Sequence, residues 1–276
     1  MTQTQPFTPT LMQKLLGRNY KWWYLIQYQI KHNTAYRAST FIWMIGRFLI
    51  LFSTVFIWWI NINAGSTISD FKNIFTYYIF GSIISYGNGV QWNIAGGIKS
   101  GAITSRLLRP VSTMKQIIIS DFGWWLVPSI FEILILLIVV AFGWQYVILP
   151  SSFLIFALYL LLGVLAYFIT VFFAYILGSL AFFIVDINGV LEIQTQLNFI
   201  FSGKALPLNI SNILSPLIFL PFAFTFYHPM QIYLGKYSPL ETLFVFLGGI
   251  TWCVVLYFLA KWVFKMGLKR NESVGL

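Results

Sequence analysis

Charged residues make up only 9% of these 276 residues, so the ionisable groups that fall inside apolar runs are the first to ask about. Arg47, Glu132 and Glu192 do so, and a charge in an apolar run is costly enough to be a functional candidate by default. Arg47 and Glu132 have three open readings: a pair between two spans, snorkelling to the interface, or a place facing a polar interior. One or two carboxylates with no intramembrane histidine make a thin proton relay, so a structural role is favoured over proton coupling. Gln194, Gln196 and Asn198 read as helix-to-helix hydrogen bonds ahead of ligand contacts. No serine, histidine and acid set stands out, nor paired carboxylates beside a histidine, which argues against an intramembrane hydrolase. Gly203-Lys204 and Gly235-Lys236 lack the upstream glycine of a phosphate loop and are followed by Ala205 and Tyr237, so the chain holds no Walker site for ATP. Cys253 is alone, and His32 and His228 are far apart on opposite expected sides. An intrachain disulfide, a cysteine metal cluster and a simple histidine metal pair are therefore excluded. No catalytic residue, cofactor site or metal ligand is assigned.

A different kind of site lies at 93–110, NIAGGIKSGAITSRLLRP. It is a basic, glycine-punctuated island between two apolar blocks, with Lys99, Arg106, Arg109 and, just beyond, Lys115 before the next carboxylate at Asp121. Such a loop marks the cytoplasmic side of a membrane. Gly101 and Pro110 bracket residues 102–109, long enough for about two helical turns and too short and polar to span. The segment reads as a short helix across the membrane face, placed to touch something in the cytosol. An ordinary positive-inside loop with a frayed turn is the plainer alternative.

The elements that hold these residues follow from composition. Hydrophobic residues are 59% and aromatics 20% of the chain, with mean hydropathy +0.80, which defines an all-α integral membrane protein. A net charge of +10 would invite nucleic acid in a soluble chain; here the cations flank apolar runs, where anionic lipid and the positive-inside bias explain them, and no nucleic-acid partner is needed. Residues 1–39 are too polar for a cleaved signal, and the mature chain is expected to begin here. Residues 10–36 read as an interfacial amphipathic helix, with Lys14, Arg18 and Lys21 on one side and Trp22, Trp23 and Ile26 on the other. Six spans are expected, at about 40–62, 72–92, 117–144, 151–185, 190–206 and 240–264, in a single domain over 1–276.

Small residues in the second span (Gly81, Ser82, Ser85, Gly87, Gly89) would admit a close neighbour, and Pro128 is expected to kink the third. The uncharged run 151–185 exceeds what a bilayer needs, so that span must tilt, protrude or break. Asp186-Ile187-Asn188-Gly189 is expected to make an inner turn through positive φ at Asn or Gly. Pro207, Pro216, Pro221, Pro229 and Pro239 forbid a straight lipid-exposed helix over 207–239 and favour a re-entrant outer hairpin. Lys261, Lys265, Lys269 and Arg270 keep the C-terminus inside with the N-terminus, while Lys72, Lys204 and Lys236 fall outside.

This order of parts resembles the permease subunits of ABC-2 type exporters. Ile98-Lys99-Ser100-Gly101-Ala102-Ile103, then Leu107-Leu108-Arg109-Pro110-Val111-Ser112, is similar to the family's "sG-x-(I/L)…LLRPvs" run in its short branch without a fused ATPase. Phe201-Ser202-Gly203-Lys204-Ala205-Leu206-Pro207-Leu208 is similar to its "sG…PL" signature. The resemblance spans about 15–268 and implies a multi-pass subunit of the bacterial plasma membrane, exporting a hydrophobic or amphipathic substrate such as a drug, peptide or lipid-linked molecule. It implies that 101–109 is a coupling helix seated in a separate ATPase, with contacts from Ser100, Gly101, Thr104, Ser105, Arg106, Leu107 and Arg109, and a smaller contact at Asp186 and Asn188. ATP and Mg would be held by a pair of ATPase subunits, and a second permease chain, identical or paralogous, would complete the pathway. The family often has an acid where this chain has Ala102, so any salt bridge made there is absent. An ion-coupled secondary transporter and a non-transporting membrane scaffold are the rival classes.

Overall fold

The structure, a computed structural model, describes residues 17–63, 68–84, 89–184, 186–210 and 213–272. Ten α-helices follow one another along them. They are α1 Tyr20–Ala35, α2 Arg37–Asn63, α3 Ile68–Ile84, α4 Val90–Lys99, α5 Ala102–Leu107, α6 Thr113–Phe142, α7 Phe153–Ser179, α8 Asn188–Phe201, α9 Tyr227–Tyr233 and α10 Pro239–Glu272. No strand occurs among the described residues. Backbone polar groups that leave water must be satisfied within the segment, and a helix does this in any apolar run.

Among the described residues four helices are long and apolar enough to cross a membrane: Arg37–Ile60, Thr113–Phe142, Phe153–Phe182 and Pro239–Arg270. Of the second expected span, the described residues comprise the end of a helix of 17 residues, Ile68–Ile84, and the start of the helix that begins at Val90. The fifth is 14 residues long, about 21 Å at 1.5 Å per residue. The long uncharged run resolves as a helix of 27 residues followed by a 3-10 turn at Leu180–Phe182.

The inner turn is built differently from expectation. Among the described residues only glycines at 17, 101, 203 and 235 have positive φ, and Asn188 and Gly189 already belong to α8. The Asp186 carboxylate instead accepts the Asn188 N–H at 3.2 Å, so a side chain closes the turn and the helix can start two residues sooner.

α10 and α4 both pack along α7, with α5 and α6 completing one core around Ile94, Ile103, Ile117, Leu162 and Tyr175. Gly178 lets α4 approach α7, since a Cβ there would lie 2.8 Å from Gln91 O. α1 lies against α6 where a Cβ on Gly123 would be 2.9 Å from Ile26 Cα. α6 runs through Pro128 without interruption. Proline there has no N–H for the carbonyl four residues back, and the Asn33 amide of α1 donates to that same Trp124 carbonyl. Of the expected interfacial helix, residues 10–16 lie outside the described residues, as do Ser85 and Gly87 of the second span.

The proline-rich stretch is broken as expected. Short 3-10 turns at Leu208–Ile210, Ser215–Phe219 and Ala223–Thr225 lead into α9, every residue of which is buried, against α7 and α3. Tyr77 and Tyr78 of α3 donate to the carbonyls of Gly203 at 2.8 Å and Ala205 at 3.2 Å. Gly203 has φ 87° and is the tight point of this loop. His228, far from His32, bridges the Ile218 carbonyl and the Tyr237 hydroxyl, both at 2.8 Å. Nε2 must carry the proton to donate to the carbonyl, leaving Nδ1 to accept from Tyr237. It is a structural clasp.

Candidate functional site

Two places in the fold gather the residues singled out above. The first is the face that carries α5. Gly101 adopts φ 72°, a conformation that costs other residues about 1–2 kcal/mol, and it reverses the chain between α4 and α5. α5 has six residues, so Leu108 and Arg109 lie just past its end. Ile103 alone is buried in it, with 2% of its surface exposed, and keys α5 into the core. Gly101, Thr104, Ser105, Leu107 and Arg109 all face outward, and Leu108 is 82% exposed. Ser100 and Ser105 hydroxyls close locally on the Gly96 and Ala102 carbonyls, each at 2.8 Å.

Arg106 behaves differently from its neighbours. Its Nη2 donates to Asn93 Oδ1 of α4 at 2.8 Å, and its carbonyl accepts from Gln116 Nε2 of α6 at 3.1 Å. Burial, with Arg109 nearby, pulls its pKa below the ordinary arginine value, yet arginine stays charged. Arg106 thus clasps α5 to α4 and α6 instead of standing out from the surface.

The expected second contact sits beside the first. Lys99 Nζ is 3.5 Å from Asp186 Oδ1, and Ile187 and Leu191 pack on Ala95 of α4. Asp186 and Asn188 are exposed. α4 therefore carries α5 at its end and the start of α8 on its side, and joins the two patches into one surface.

The second place is a partly open cavity of about 340 Å³ lined by α2, α3, α4, α6, α7, α8 and the broken hairpin. Arg47 Nη2 and Glu132 Oε1 form an ion pair at 3.0 Å on its wall, the pairing that was one of the three open readings. The Arg47 guanidinium lies 5.1 Å from the Trp43 ring centre and 5.4 Å from that of Trp125, within cation–π range. Gln194 and Asn198 face this cavity, and their Oε1 and Oδ1 are buried without hydrogen-bond partners among the described residues. They make no helix-to-helix bond through these atoms. Glu192 is exposed on α8 and is not among the lining residues.

Sequence reasoning missed two lining residues and one buried carboxylate. Lys204, expected beyond the outer end of the fifth span, lines the cavity, where the loop after α8 is held by Tyr77 and Tyr78. Gln91, buried at 7%, also lines it. Asp121 is 5% exposed, and its Oδ1 accepts the Gly89 N–H at 3.1 Å, a carboxylate placed at the start of α4 where the helix dipole favours it. Its signal was its place inside the third apolar run.

Among the described residues no group of histidine, cysteine and acidic side chains is placed to hold a metal ion. The model of the ABC-2 family transporter proteins matches residues 41–275, so the chain belongs to the ABC-2 family of transporter proteins. It is a multi-pass membrane protein of the permease kind, and permeases of that family work with an ABC ATPase partner. No curated protein and no solved structure matches the chain.

Proposed function

We propose that this chain is the permease subunit of an ATP-driven exporter of hydrophobic or amphipathic molecules. Six passes result when α3 with α4 is counted as the second and α8 as the fifth, with both termini in the cytosol at the bacterial plasma membrane. A pair of separate ATPase subunits holds ATP and Mg, and a second permease chain, identical or paralogous, completes the pathway. The observation that carries the reading is α5 itself: an outward patch of Thr104, Leu107, Leu108 and Arg109 on a helix anchored by the buried Ile103. Exposed leucines beside an exposed arginine suit a protein cleft better than water.

The same geometry supports force transfer. When the ATPase pair closes, a push on α5 passes through Ile103 and the Arg106–Asn93 bond into α4, and through Gln116 into α6. The ion-coupled alternative has less to draw on, since Glu132 is paired with Arg47 and Glu192 is away from the cavity. The test is to replace Leu107 and Leu108 together by Asp and to purify the full chain from its native membrane in mild detergent. A soluble ATPase subunit should co-purify with the wild type and be lost, by about tenfold or more, from a variant that still inserts. Equal recovery from both would overturn the proposed contact.

A further inference from the structure

The charges on the cavity wall do not balance. Among its lining residues Arg47 and Lys204 are cationic and Glu132 is the single carboxylate. Glu132 is already engaged by Arg47 at 3.0 Å. Among the described residues no carboxylate comes within 4 Å of the Lys204 ammonium: Glu132, shared with Arg47, reaches it only from farther off, and the Phe226 ring lies 6.0 Å away. A cation held in an apolar wall attracts an anion, because its attraction is weakly screened there.

Three side-chain oxygens add a second requirement. Gln91 Oε1, Gln194 Oε1 and Asn198 Oδ1 are buried on lining residues and have no hydrogen-bond partner among the described residues. A buried acceptor left unpaired costs about 1–3 kcal/mol, so a ligand with hydroxyl or N–H donors is favoured over one without. Much of the remaining wall is apolar, with Trp43, Phe48, Phe173 and Phe222 beside aliphatic residues such as Leu51 and Ile135, and suits the apolar part of the same molecule. The volume of about 340 Å³ falls at the lower end of ligand-sized pockets. A cationic ligand would meet Arg47 and Lys204 and would have to break the ion pair to reach Glu132. An apolar ligand would leave Lys204 and the three oxygens unanswered.

We infer that this cavity binds an amphiphile whose head group carries a net negative charge together with hydrogen-bond donors. Resting on the export reading above, such a molecule is the class of substrate. Lys204 holds the anionic centre, and Gln194 and Asn198 accept from the head group's donors.

The test is a titration of the purified full chain, with whatever ATPase subunit it retains, followed by native mass spectrometry. The probes are phosphatidylglycerol, which has one negative charge and free hydroxyls, and phosphatidylcholine with the same acyl chains. The wild type should retain phosphatidylglycerol about tenfold better. Lys204→Gln should reduce it to the phosphatidylcholine level, while Lys204→Arg keeps the preference. Asn198→Leu should lower phosphatidylglycerol binding severalfold with phosphatidylcholine unchanged, and it carries the test if Lys204→Gln does not insert.

Equal retention of the two lipids by the wild type would overturn the inference, as would a preference untouched by both Lys204→Gln and Asn198→Leu. Glycerol 3-phosphate displacing the lipid at equal concentration would overturn the amphiphile requirement, because the acyl chains would then contribute nothing. Absence of an ATPase subunit from the wild-type complex would count against the export reading, while the head-group preference is read in the same spectra independently.

Discussion

Arg47 and Glu132 show how a single pair can be structural and still shape a site. Each side chain keeps about a quarter of its surface, 24% and 25%, which places the pair between exposed bridges worth little and buried ones whose half-removal is severe. The indoles of Trp43 and Trp125 add attraction for Arg47. Glu132→Gln or Arg47→Gln alone removes the ion pair and keeps one of its charges in an apolar wall. The double variant removes both, so it should unfold in detergent at a temperature no lower than the worse single variant. The coupling expected from that cycle is about 1 kcal/mol; strictly additive losses would mean that the 3.0 Å contact contributes nothing.

Elements, in this fold, are joined where one of them is incomplete. α6 lacks a donor for the Trp124 carbonyl because of Pro128, and Asn33 of α1 supplies it. The close approach at Gly123 makes this reach possible. Asn33→Ala should therefore destabilise the protein by about 1–3 kcal/mol, the cost of an unpaired buried carbonyl. In a Pro128→Ala background residue 128 regains its N–H and the same Asn33→Ala change should cost much less. Thermal unfolding of the four proteins reads this directly, and an equal loss in both backgrounds would show that Asn33 acts otherwise.

The whole molecule joins two outward patches through one short helix. α4 meets Asp186 through Lys99, Ile187 through Ala95, and α5 through Asn93 and Gly101. Of these links the Lys99–Asp186 bridge is the weakest, since both groups are well exposed and the separation is 3.5 Å; exposed pairs contribute about 0–1 kcal/mol. Lys99→Ala should leave ATPase co-purification within about twofold of wild type, whereas Ile187→Asp, which breaks the apolar seat of α8 on α4, should reduce it strongly. A large loss with Lys99→Ala would instead mean that the bridge holds the two patches in register. α8 has Leu191 as its single buried residue, with Ile193, Leu197 and Ile200 exposed, so its position depends on this seat.

What the sequence determined is what depends on local chemistry. Long apolar runs must become helices, so the four long spans were legible from hydropathy. Gly101 and Pro110 stood out as the brackets of a short helix, and five prolines in 207–239 ruled out a continuous helix there. Tertiary structure decided where polar side chains point, because a periodic pattern says which face is apolar but not what the polar face meets. Arg106 looked like a displayed cation and is turned to Asn93; Lys204 was legible only as a charge beyond the fifth span, and it lines the cavity because the loop after α8 is held by two tyrosines 126 and 127 residues away. The Asp186 turn formed without a left-handed residue because a carboxylate closed it. Arg47 and Glu132 were visible as misplaced charges, but their pairing joins helices distant in sequence and forms only when α2 and α6 pack in one register.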